Sequence, residues 1–310
     1  MTDQQRISAR RKLAPLPLLG LLLLFFLYTE QVAQAVGAGL SLCARVIVPS
    51  LFPFMVLSEG LQGYEIPFGR VVSGKWFEKI FRVNRQGLLP LVLGLLCGFP
   101  LGAKAVCDGY KRGVYTKAEA EHLAGFVNNT GPAFVVAGIG AGMRRSLTDG
   151  LLLYGIQVVC ALLVGWLFRP GRVCVRWQSA GTPAPALPFV RCVREGALHT
   201  LYVCAFVVFF GVLCSLAALA CPNEWITAML AGFLEIGNAA ARLSLLSAAQ
   251  PRLSFVLTAG AVSFAGLSVH LQSALFFAEV GLPLRRYLLM KCVCACFTMG
   301  LAWGLWSTCA

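Results

Sequence analysis

Residues 94–104 read GLLCGFPLGAK, an apolar run that Gly98, Pro100 and Gly102 interrupt and that ends on Lys104. Glycine and proline stop a helix at such a place, because proline lacks the N–H and glycine has the most backbone freedom to lose. Apolar residues continue on both sides, from Leu88 to Val106. The stretch is too apolar for a water-facing surface and too interrupted for one continuous span. In hydrocarbon, a broken backbone survives only where protein or a cavity satisfies its free N–H and C=O groups. The spacing therefore predicts a discontinuous membrane helix, with Pro100 at the start of its second arm. The N–H groups around Gly102 and Ala103 are expected to point at the break and favour an anion. Lys104 adds a full positive charge, and Asp108, one turn later, is placed to pair with it.

The rest of the chain is of the same kind. It has 310 residues, 58% of them hydrophobic and 13% charged, with a mean hydropathy of +0.76. An ordinary soluble domain carries about 25% charged residues. This composition excludes a soluble enzyme, a disordered chain and a secreted disulfide scaffold. Long apolar runs, rather than alternating strands, point to an all-α polytopic membrane protein with about 8–10 membrane segments. The 26 Lys+Arg against 13 Asp+Glu give a net charge of +13. Because they cluster between apolar runs, they read as topology signals and headgroup contacts. The expected partner is thus the lipid bilayer, not nucleic acid. The 13 cysteines are odd in number and lie mostly in apolar runs. Without a paired CxxC motif, no metal is expected.

Leu13–Val32 reads as an uncleaved first spanning helix, so residues 1–32 form an N-terminal transmembrane segment. Residues 33–168 make a first half and 195–310 a second. Between them, 169–194 is a basic, proline-rich linker. Residues 67–85 are amphipathic and are expected to lie on the membrane surface. Basic loops place the N-terminus, 70–85, 111–117, 169–194, Arg252 and 285–286 in the cytoplasm. That placement requires 87–113 and 253–281 to enter and return as re-entrant hairpins. Trp225–Ala249 reads as a long segment that carries Glu235, Gly237 and Asn238 near its middle. An internal repeat is expected from the alignment of 94–104 with 260–270 (GAVSFAGLSVH), where Lys104 meets His270. Broken helices at matching positions in two halves point to a transporter's binding site.

Further interruptions are expected at Pro53, at Gly131 and Pro132, and at Gly266. Each carries polar groups that are costly in hydrocarbon and therefore candidates for substrate binding. Asn128 and Asn129 supply amides, and Thr130 reads as the N-cap of the next half-helix. Glu235 is a lone carboxylate that can bind a cation, carry a proton or pair with Arg242. Ser268, His270 and Gln272 group around Gly266. With Lys104, these make the candidate substrate-binding set; no residue is assigned as catalytic. P-loop, GxSxG, HExxH and dinucleotide fingerprints are missing, so neither an enzyme nor a cofactor is expected.

Five of these pieces occur in one order: PSLFPF at 49–54, GFPLGAK at 98–104, NNTGPAF at 128–134, LEIG at 234–237 and SFAGLSVHLQ at 263–272. Together they resemble the YlbJ (SpoVV) family of sporulation integral membrane proteins, within the nucleoside-recognition or Gate group. The resemblance spans about residues 38–290. It implies two Gate-like halves, no enzymatic activity, and movement of dipicolinic acid across the outer forespore membrane. The family often has Tyr where Phe99 stands and Ser where Thr130 stands. A small aromatic dianion suits Lys104, Asn128, Asn129 and His270, with its ring against Phe99, Phe134 or Phe264. A nucleoside or nucleobase transporter and a non-transporting sporulation scaffold are the alternatives.

Overall fold

The computed structural model describes residues 15–61, 74–171 and 188–309. Every regular element among the described residues is helical. Residues 67–73 of the expected surface segment lie outside them, as does most of the linker.

Helix α1 (Leu16–Leu27) is followed by α2 (Thr29–Leu42), a π-helical turn π1 (Cys43–Ile47) and α3 (Val48–Leu61). The rod Thr29–Gly60 is long and apolar enough to cross a bilayer. The expected first span, Leu13–Val32, is divided at Tyr28, where φ is −114° and ψ is 40°. That leaves α1 with 12 residues, short of the roughly 20 a span requires. The break expected at Pro53 is not found. Proline sits inside α3, and the irregularity lies upstream, in the wider turns of π1.

A short helix α4 (Lys75–Phe81) leads into α5 (Leu88–Leu96), α6 (Leu101–Lys111), α7 (Lys117–Val127), the π-helix π2 (Ala133–Met143) and α8 (Leu147–Leu167). Amphipathic α4 has two apolar edges: Phe77 and Phe81 are buried while Trp76 and Ile80 stay exposed. Phe81 stacks on Phe126 at 4.8 Å, which anchors α4 to the core. After the linker come α9 (Phe189–Ala220), α10 (Glu224–Leu234), α11 (Ile236–Leu245), α12 (Pro251–Phe264), α13 (Gly266–Val280) and α14 (Leu284–Cys309).

The two halves repeat one pattern. Each opens with a long helix, α2–α3 or α9. Each continues with a helical hairpin that returns to the face it left. A third segment crosses but is broken midway, and an unbroken helix follows. In the first hairpin α5 and α6 meet where a Cβ on Gly94 would lie 3.2 Å from the Cα of Gly102. In the second, Gly232 of α10 faces Ala239 of α11. The broken crossing α7–π2 runs antiparallel along α8, with Phe126 beside Gly165 and Gly140 beside Gly150. Likewise α12–α13 runs along α14, from Arg252 at Trp303 through Gly260 at Met299 to His270 at Tyr287.

This corrects the expected re-entrant pair. Residues 87–113 do form a hairpin, but 253–281 is a through-crossing. The second hairpin is 224–248, with Glu235 at its tip. The repeat therefore pairs the Gly98 break with the Glu235 break, and the Asn128–Pro132 break with the Gly266 break. The alignment of Lys104 with His270 does not hold. Three crossings precede α9, so the second half is inverted relative to the first, an arrangement familiar in transporters.

Contacts between loops separate the two faces. On one, Arg82 donates to the carbonyls of Pro170 and Gly171, Arg286 to Phe168 O, and Lys111 pairs with Glu279. On the other, Arg144 donates to Ser254 and Arg252 to Trp303 O. Arg252 was expected with the cytoplasmic loops; it sits with Arg144 on the opposite face, because α12 starts there. Large apolar side chains such as Leu22, Phe26, Leu201 and Met229 are exposed around the bundle, a rim suited to lipid.

Candidate functional site at the helix breaks

The breaks touch one another backbone to backbone. Gly98 has φ +84°, and a Cβ there would come within 2.5 Å of Gly131 N. A Cβ on Gly94 would overlap Val127 O. Only glycine allows two interrupted chains to approach so closely. In the second half Gly266, φ +75°, packs against the Leu234–Glu235 peptide.

Each break strands carbonyls that a continuous helix would satisfy, and side chains take them. Asn129 Nδ2 donates to Phe126 O at 2.7 Å. Gln157 Nε2 donates to Thr130 O at 2.9 Å. Thr130 Oγ1 donates to Val262 O at 2.8 Å, joining the two broken crossings. Thr130 is thus not the expected N-cap; π2 starts after Pro132 without a side-chain cap. Asn128 Oδ1 accepts from Ala103 N at 3.1 Å, so an in-chain amide already meets the start of α6. Asn128 Nδ2 donates to Ser273 Oγ at 2.9 Å and Tyr287 OH at 3.2 Å. The Tyr287 hydroxyl also meets His270 Nδ1 at 3.1 Å. His270 Nε2 is buried with no hydrogen-bond partner among the described residues.

A cleft of about 90 Å³ opens beside the breaks, between π1–α3, α9 and residues 97–99 and 130–134. Its polar lining is Ser50, Thr130 and Gln272, and its aromatic lining Phe99 and Phe134. Phe264 lies elsewhere, stacked on Phe233 and edge-on to His270. Gln272 Nε2 donates to Ser268 Oγ at 3.2 Å, one turn back along α13.

Of the candidate residues, Asn128, Asn129, Thr130, Ser268, His270 and Gln272 gather around the two broken crossings. Lys104 and Glu235 do not join them. Lys104 is buried and its ammonium is held by Glu59 at 3.0 Å and Asp108 at 2.8 Å. His199 Nδ1 lies 3.1 Å from the same Glu59 oxygen. These residues tie α3, α6 and α9 together. Glu235 caps α11, accepting from Gly237 N, Asn238 N and Asn238 Nδ2 at 2.7–2.9 Å. Among the described residues it forms no ion pair with Arg242.

Four residues of the network were not anticipated: Gln157, Ser273, Tyr287 and Lys291. Lys291 is 1% exposed. Its ammonium donates to Asn128 O and, at 3.2 Å, to Asn129 Oδ1, and lies 5.4 Å from the centroid of the Phe99 ring. The signal was available: Lys291 is a lone charge inside the last apolar run, four residues after Tyr287, hence on the same helix face.

No protein-family model matches the chain, and no solved structure matches it. The chain is similar to the sporulation integral membrane protein YlbJ of Bacillus subtilis (strain 168), with 34% identity over 137 residues. The match covers 44% of this chain and 34% of that protein, about a third of the relative's length. The chain is an all-α polytopic integral membrane protein, similar over part of its length to a sporulation integral membrane protein.

Proposed function

We propose that the protein is a sporulation-associated membrane transporter, without enzymatic activity, that moves a small aromatic dianion, dipicolinic acid, across the outer forespore membrane. The observation that carries this reading is the meeting of two interrupted crossings at the Thr130–Val262 hydrogen bond. Around it lie the cleft and the polar groups of Asn128, His270 and Gln272. Inverted halves with breaks near mid-span suit alternating access about a central site. The positive-inside rule puts the face carrying Arg82, Lys111 and Arg286 in the cytoplasm. The partial likeness to a sporulation protein supports the cellular setting.

The test is the dipicolinate content of spores from a strain lacking the gene. Low spore dipicolinate beside a normal mother-cell pool is the expected result. A normal spore content contradicts the proposal. The neutral polar lining of the cleft, Ser50, Thr130 and Gln272, favours a second reading, a nucleoside or nucleobase as cargo. Competition between uridine and dipicolinate for uptake separates the two.

A further inference from the structure

Two buried lysines differ in one respect that matters for cargo. Lys104 has Glu59 and Asp108 as counter-ions. Among the described residues, no acidic side chain forms an ion pair with Lys291. Its ammonium is met by two neutral oxygens, Asn128 O and Asn129 Oδ1. A buried ammonium is costly unless paired.

Satisfying a stranded carbonyl does not call for a lysine. Gln157 does the same for Thr130 O, two residues along, with an uncharged amide. The charge of Lys291 is therefore surplus to the architecture. It lies behind the wall of the cleft, since Phe99 lines the cleft and turns its ring toward the ammonium. The other titratable neighbours are His270, Tyr287 and Cys294, and none is a carboxylate. A neutral solute gains less from this charge than a carboxylate, which supplies the counter-charge that the protein withholds.

We propose that Lys291 is the charge-selecting residue of the central site, taking a carboxylate of a small aromatic acid whose ring lies against Phe99. This rests on the transport reading above and adds a binding residue to it.

The experiment compares two ligands of equal shape, pyridine-2,6-dicarboxylate and the neutral pyridine-2,6-dicarboxamide, by equilibrium dialysis against the purified full chain in detergent. Wild type is expected to prefer the diacid by about tenfold or more. Lys291→Met removes the charge and is expected to bind the two ligands alike. Lys291→Gln, which keeps a donor for Asn128 O, is expected to lose the preference too. Retention of the preference in Lys291→Gln overturns the proposal and leaves the transport reading standing. Equal binding of the two ligands by wild type does the same. Binding of neither ligand by wild type overturns the anion-transport reading, and the proposal with it.

Discussion

Lys104 and Lys291 are both buried, both near a helix break, and both in segments of mostly apolar sequence. Lys104 meets two carboxylates and shares one of them with His199. Lys291 meets only neutral oxygens and an aromatic face. The first arrangement spends its charge inside the protein, joining the opening helices of both halves to the first hairpin. The second leaves its charge for something else. What distinguishes a binding group from a structural one is therefore the bookkeeping of charge around it, not burial or proximity to a break.

The comparison can be broken at several points. Lys104→Met removes the ammonium that Glu59 and Asp108 share, and is expected to destabilise the fold by about 3–5 kcal/mol, read from equilibrium unfolding in mixed micelles. Adding Glu59→Gln to it should restore part of that loss. A Lys104→Met protein as stable as wild type would show that the two lysines are alike after all. Gly94→Ala tests the ground around Lys291 without touching its charge. The new methyl meets Val127 O, so the loss should lie toward the upper end of ~1–3 kcal/mol. Thr130→Val strands Val262 O and should cost about 1–3 kcal/mol. Both variants are expected to weaken diacid and diamide binding together, unlike changes at Lys291. Lys111→Ala supplies the exposed reference. Its pair with Glu279 sits at 47% and 58% side-chain exposure, so the effect should stay under about 1 kcal/mol and fade with salt.

The broken helices were legible because their cause is local. Gly98, Gly131, Pro132 and Gly266 interrupt a helix by their own backbone chemistry. Pro53 has the same chemistry yet stays within α3. Which breaks belong to hairpins was not legible. Apolar runs of equal length either return or cross, and long-range packing decides: α12–α13 has all of α14 to lie along, while α10 has α11. The lysine partners follow the same rule. Asp108 was readable at one turn from Lys104, but Glu59 comes from another helix. Lys291 was readable as an intramembrane charge, yet its significance depends on the acidic groups that surround Lys104 and not it. Glu235 read as a candidate ligand because a buried carboxylate is costly. The extended backbone at Glu235 itself, φ −151° and ψ 122°, lets it cap its own helix instead.

The most direct measurement is uptake of labelled dipicolinate into vesicles reconstituted with the purified full chain. The account predicts saturable uptake in wild type and its loss in Lys291→Gln, which removes the charge and keeps a donor for Asn128 O. Uptake no faster than in protein-free vesicles would contradict it.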